Sequence, residues 1–348
     1  MRMVSLLAAA ATAAVLFLSV ASQALAGVLI PIPLGQGWIA EETVVRGIND
    51  SNVIVGFFAD DNGTHGFVGT LDGNYTTFDY GAGFDTFPQA ISGSGYITGY
   101  AYNKSTFDQY PFVRSPDGVI TNVTKNGKPI HGFDAEAEGV VGRGTFVGEY
   151  RSKKKERPIG FYGKGSRYQG KLDLMLPKAY GAHPYGLNKW GDVVGGYSTC
   201  DVCADRGFGM IGGYTIDFTY PIQYEYVTDL RGINSNEVMV GDYWQYIQGN
   251  VVGPFGFVLD RRHGLVKTLK SVDIAWGINR AGLVAASGRD DRPYIYCPHS
   301  VDKCPTGGGM AIEIDDHWIP ARPDSVRSIV CSLARARSKP RALSYVAR

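Results

Sequence analysis

Short apolar runs, each entered through a polar turn and closed by a glycine or alanine, recur along most of this 348-residue chain. Runs such as Val53-Ile54-Val55, Ile97-Thr98 and Val193-Val194 are rich in β-branched residues and show no sustained helical period. That is the pattern of short strands buried on both faces. The clearest copy is Arg231 to Tyr243, RGINSNEVMVGDY, in which Gly-aliphatic-Asn leads through a turn into the run, and a glycine stands seven residues beyond the asparagine. Ungapped relatives begin at Gly47 (GINDSNVIVG), Ala90 (AISGSGYITG), Gly139 (GVVGRGTFVG), Gly186 (GLNKWGDVVG) and Gly277 (GINRAGLVAA). Their anchors Asn49, Ser92, Val141, Asn188, Asn234 and Asn279 are spaced by 43, 49, 47, 46 and 45 residues, a period that marks a repeat architecture.

Within each copy, Asn188-Lys189-Trp190-Gly191 and Asn279-Arg280-Ala281-Gly282 predict a type I turn followed by a left-handed residue. Asn52 suits that fourth place, and Glu237 suits it less well. The small residue after each run (Gly56, Gly99, Gly148, Gly195, Gly241, Ala286) predicts close approach of another backbone. A second half follows, with an aromatic segment such as His65-Gly66-Phe67-Val68 or Gly256-Phe257-Val258, a turn, and a further strand-like run. About four antiparallel strands per unit predict an all-β fold, a six-unit propeller-like ring. Seven blades or an open repeat array fit the same period. The Pro-rich run Val28 to Leu34 reads as an edge strand or arm that closes the ring against the last unit.

Gly-Ile-Asn, a hairpin ending in Val-Gly, and then His65-Gly66-Phe67 resemble the extracellular HAF repeat, named for its His-Ala-Phe tripeptide. The resemblance spans roughly residues 40 to 300; beyond the first unit only the aromatic of the tripeptide is kept. It implies a secreted, β-rich, largely bacterial repeat protein. It brings no catalytic residues with it.

The ends of the chain differ from its middle. Residues 1–26 carry Arg2, an apolar run from Leu6 to Val20 and the small-x-small site Ala24-Leu25-Ala26, which predicts a signal peptide cleaved after Ala26 and a secreted or periplasmic protein. Residues 27–320 form the repeat domain. Residues 321–348 hold seven Lys or Arg against one acid, and read as a basic, disordered tail on a body whose own balance is acidic. Cys200, Cys203, Cys297 and Cys304 are disulfide candidates suited to an oxidising compartment, paired locally or crossed, and Cys331 is left over.

Chemistry is sparse. There is no GxSxG elbow, P-loop, HExxH or dinucleotide fingerprint, and no zinc-type ligand spacing. One residue per unit, five to seven positions before the anchor, is titratable: Glu42, Asp85, Asp134, His183, Asp229 and Asp273. Gathered at one mouth of a ring, these would bind a cation or a basic or polyhydroxyl ligand; taken singly, each caps a turn or a strand start. The expectation is a secreted, non-enzymatic binding or scaffold protein with an extracellular polysaccharide or surface protein as partner. The basic tail reads as disordered rather than as a dedicated binder of nucleic acid or an anionic surface, and the sequence does not set the oligomeric state. The rival is a glycan lyase or hydrolase at an acidic mouth.

Overall fold

In the computed structural model, the described residues are 27–151, 157–172, 174, 179–200, 203–223, 225–298, 304, 312–314, 319–320 and 326–329. Six small antiparallel sheets stand around an axis as the blades of a propeller. Their innermost strands are Val44–Ile48, Phe84–Ile91, Glu136–Val141, Gly181–Leu187, Glu225–Ile233 and Val272–Ile278, and each touches the next until the sixth meets the first. One hydrophobic cluster fills each gap between neighbouring blades. The ring therefore has six blades, not seven, and is closed.

The anchor asparagine does two jobs. Its Oδ1 accepts backbone N–H groups within its own turn, as Asn234 does from Asn236 at 2.9 Å and Val238 at 3.1 Å. Its Nδ2 donates to the anchor carbonyl of the next blade: Asn49 to Ser92 at 3.1 Å, Asn188 to Asn234 at 3.2 Å, Asn234 to Asn279 at 3.0 Å, and Asn279 back to Asn49 at 3.2 Å. Ser92 and Val141 have no amide to offer, which leaves this girdle open between blades 2 and 3 and between blades 3 and 4. Asn234→Ala removes both jobs from a buried site, at a cost on the order of 3 kcal/mol read as a lower urea midpoint. Asn234→Asp keeps the turn acceptor and isolates the inter-blade share; an unchanged midpoint in both variants would show that the girdle carries no stability.

The left-handed place of each turn is filled as expected by Asn52, Gly191 and Gly282, in the other two glycine-bearing units by Gly95 and Gly144, and also by Glu237 at φ 60°, the less suitable residue. Glu237 is held there by ion pairs with Arg261 and Arg262. The small residue after each run faces its predicted backbone. A Cβ on Gly241 would lie 1.9 Å from the Asp229 carbonyl, and one on Gly56 1.9 Å from that of Val44. Opposite each small residue on the third strand sits the aromatic of the second half-unit, pairing Gly56 with Phe67, Gly99 with Phe112, Gly148 with Phe161, Gly195 with Phe208, Gly241 with Phe257 and Ala286 with Tyr294. The five phenylalanines are fully buried, so each fills the gap left by a missing side chain.

Gly27–Pro31 pairs antiparallel with Pro293–Pro298 and supplies the fourth strand of the sixth blade, so this arm does close the ring. Further out, Ile312–Ile314, Ile319–Pro320 and Val326–Ile329 add outer strands to blades 6, 5 and 4 in turn, running back round the rim. Four residues of the basic segment are thus paired rather than disordered; the rest of 321–348, with Cys331, lies outside the described residues, as does the expected signal peptide 1–26. The cysteines pair locally, Cys200 with Cys203 and Cys297 with Cys304. No helix among the described residues is long and apolar enough to cross a membrane.

Candidate functional site

Every inner strand carries a register shift just before its Gly-aliphatic-Asn, between Val45 and Gly47, Pro88 and Ala90, Ala137 and Val140, Pro184 and Gly186, Leu230 and Gly232, and Ala275 and Gly277. A bulge of this kind leaves one residue unpaired and turns its side chain away from the ladder. The bulged residues are Arg46, Gln89, Glu138, Tyr185, Arg231 and Trp276, three positions before the anchors, and all six line one cavity of about 80 Å³ on the axis. That volume has room for several water molecules or the projecting end of a larger ligand.

The layers below follow from the same register. Next along each strand is a glycine or alanine whose Cβ would meet the neighbouring blade; on Gly232 it would lie 3.2 Å from the Cα of Gly277. Beneath that come Ile48, Ile91, Val140, Leu187, Ile233 and Ile278, an aliphatic collar shared with a second vestibule of about 270 Å³ ringed by the anchors. The axis therefore passes from a polar chamber through a backbone waist to an apolar collar.

In the polar chamber, Arg46 stacks on Trp276 with its guanidinium 3.7 Å from the ring centre, and Arg231 sits 4.6 Å over Tyr185 and 5.1 Å over Trp276. Trp276 is fixed by donating Nε1–H to Ser287 Oγ at 2.9 Å. Arg46 reaches Glu138 at 3.9 Å across the ring. Arg231 holds Asp242 at 2.7 Å and Asp229 at 3.0 Å. Two residues further up the inner strands the ring divides. Blades 1, 2 and 6 carry Val44, Phe87 and Ile274, with Phe57 and Tyr100 beside them; Phe87 stacks on Tyr100 at 4.9 Å and meets the edge of Phe57 at 5.1 Å. Blades 3, 4 and 5 carry Glu136, His183 and Asp229. One wall is aromatic and the other ionic.

Charge is costly to bury, and the ionic wall shows it. Burial, reinforced by Glu138, holds the Glu136 carboxyl well above the usual carboxylate range; the two share a hydrogen bond, and Gln109 donates to Glu136 at 2.8 Å. Burial also raises Glu138, Glu149 and Asp205 against the pull of their cationic partners. It pushes Asp229 up to about 7, with Asp242 and Asp205 adding to the effect and Arg231 opposing it. His183 is the converse case: burial works against its charge, but the Glu149 carboxylate 2.6 Å away, backed by Asp205 and Asp229, outweighs it and pushes the imidazole up to about 9. Gln89 Oε1, Asp229 Oδ1 and Asp242 Oδ2 are buried without a hydrogen-bond partner.

Of the six residues picked out by sequence, the structure brings His183 and Asp229 together in this wall. The other four are dispersed. Asp85 accepts the Thr64 N–H at 2.8 Å and pairs with Lys104 at 2.9 Å, tying blade 2 to blade 1. Asp134, itself at φ 54°, pairs with Arg151 at 2.8 Å, and Asp273 reaches Arg289 at 3.7 Å. Glu42 ends an exposed single turn, Ala40–Glu42. They serve as ties and caps, and among the described residues no three His, Cys, Asp or Glu side chains gather as a metal site. What the sequence reading missed is the residue immediately before each Gly-aliphatic-Asn. Its signal was positional, not chemical.

No protein family matches the chain, and no curated protein does. Among solved structures, one described as a streptogramin B lyase structure shares 10% identity at a TM-score of 0.43, over 79% of this chain and 99% of that one. TolB from Acinetobacter baumannii shares 10% identity at a TM-score of 0.47, over 77% of this chain and 66% of that one.

Proposed function

We propose that this is a secreted binding protein of the HAF-repeat type, whose axial chamber takes the end of a polyhydroxylated, extracellular glycan. The supporting observation is the set of buried, partnerless acceptors, Gln89 Oε1 above all, beside an aromatic wall. Hydroxyl donors satisfy such acceptors, and sugar faces pack on rings such as Trp276 and Phe87. The two disulfides suit an oxidising compartment. The test is calorimetric titration of an oligosaccharide panel into the protein and into Gln89→Leu. An affinity loss of roughly tenfold or more in the variant is expected, because the acceptor and its geometry are lost together. Equal affinity in both proteins would place the ligand elsewhere.

One observation favours a second reading, glycosidic bond cleavage at the same chamber. Burial and its neighbour Glu138 raise Glu136 well above the usual carboxylate range, and a raised carboxyl beside a second one is the kind of pair from which a general acid is drawn. Cleavage products that appear with the native protein and vanish with Glu136→Gln would establish it; a bound glycan that stays intact would exclude it.

A further inference from the structure

We infer that the glycan end taken by this chamber carries a protonated amine, as in an amino sugar with a free amino group. The inference rests on the saccharide reading and narrows it. Blades 3, 4 and 5 place Glu149, Asp205, Asp229 and Asp242 in one sector, where the cations are His183 and Arg231. Four carboxylates face two cations, and the remaining cation, Arg46, is turned to Glu138 and Trp276. Arg231 spends its two arms on Asp229 Oδ2 and Asp242 Oδ1, and the second oxygen of each carboxylate is buried without a hydrogen-bond partner. Both lie in side chains more than nine-tenths buried.

One of these oxygens, Asp229 Oδ1, points where the fold leaves out a side chain. A Cβ on Gly196 would lie 2.2 Å from Asp229 Oδ1 and 3.5 Å from Asp205 Oδ2, so two carboxylates approach one point, with the His183 imidazole 3.8 Å from Asp205 and Arg231 on the far oxygen of Asp229. Asp205 and His183 keep 24% and 18% of their side chains open to solvent, which gives a ligand a way in. An ammonium group suits this arrangement because it brings three donors together, and its charge favours the ionised form of the raised carboxyls beside it. A neutral hydroxyl brings one donor and no charge, and an acidic sugar would be repelled.

The test compares β-1,4-linked glucosamine, N-acetylglucosamine and glucose oligomers of equal length by calorimetry at pH 7. The glucosamine oligomer should bind roughly tenfold or more tightly than the other two, since charge-assisted bonds in a buried site are the strong ones. That preference should collapse in the near-isosteric Asp229→Asn and Asp205→Asn, the glucosamine oligomer falling to the affinity of the other two. Equal affinity for all the oligomers overturns the amine inference and leaves the saccharide reading standing. Failure of every oligomer to bind a protein shown by its melting curve to be folded overturns both. Native melting by the aspartate variants separates loss of preference from loss of fold.

Discussion

Truncating Leu29 and Ile30 to alanine together is expected to unfold most of the protein at ordinary temperature. The residues are neighbours on Gly27–Pro31, so their side chains leave opposite faces of the strand. Leu29 enters the core between blades 5 and 6 with Val240, Val258 and Tyr296, and Ile30 enters the core between blades 6 and 1 with Val45, Ile54 and Phe67. Both are almost completely buried. Each truncation costs about 2–5 kcal/mol, and the sum approaches the whole stability of an ordinary domain. Thermal melting would read the loss directly. Leu34→Ala, on a side chain 40% exposed just beyond the strand, is the control and should shift the midpoint little. A double variant that melts within a few degrees of the native protein would show that the ring holds without its closing strand.

Stability should fall as pH rises from about 5 to 9, the reverse of a protein held together by depressed carboxylates. His183 is raised from 6.5 to about 9, so its contribution is complete below pH 6.5 and is lost as pH climbs through 9. Asp229 is raised from 3.8 to about 7, so between those values the folded chain keeps a proton that the unfolded chain has released, and the advantage disappears by pH 7. Glu136, Glu138, Glu149 and Asp205 are raised as well and act in the same direction. Asp60, half-buried beside His65, and the exposed Asp72 and Asp117 are lowered and act in the opposite sense, screened by the water around them. His183 alone contributes at its limit on the order of 3 kcal/mol. Melting temperatures measured every half pH unit should decline by several degrees across this window. In His183→Gln the decline above pH 7 should flatten. A flat native profile from pH 6 to 9 would sink the account.

Much of the ring was legible because its constraints fall on single residue types. Only a small residue tolerates a carbonyl at 1.9 Å, so Gly56 and Gly241 announce the inner strand even without coordinates. A left-handed turn favours glycine or asparagine, and Asn with its two-sided amide serves turn and neighbour at once, so the anchors repeat visibly. Closure by the N-terminal arm and the oxidised state of the cysteines were readable from edge chemistry and composition. The chamber was not, because its rule is one of register. A bulge breaks the period-two alternation, and what it delivers to the axis is Arg, Gln, Glu, Tyr, Arg or Trp, with nothing in common but position. The titratable residues five to seven positions before the anchors therefore include Glu42, Asp85, Asp134 and Asp273, which sit in turns and ion pairs, and meet the ionic wall only at His183 and Asp229.

The gaps in the asparagine girdle fall on two neighbouring seams, and each is bridged in a different way. Between blades 2 and 3 the missing amide is covered by the Thr98 hydroxyl donating to the Glu138 carbonyl. Between blades 3 and 4 the pair His183 and Glu149 stands across the seam, and it is held by a proton. The seam between the first and last blades, by contrast, carries the Asn279 amide and the shared strand of the N-terminus. When alkali takes the proton from His183, the seam between blades 3 and 4 loses its ion pair and rests on the hydrophobic cluster there, whereas the first and last blades stay joined by both strand and amide.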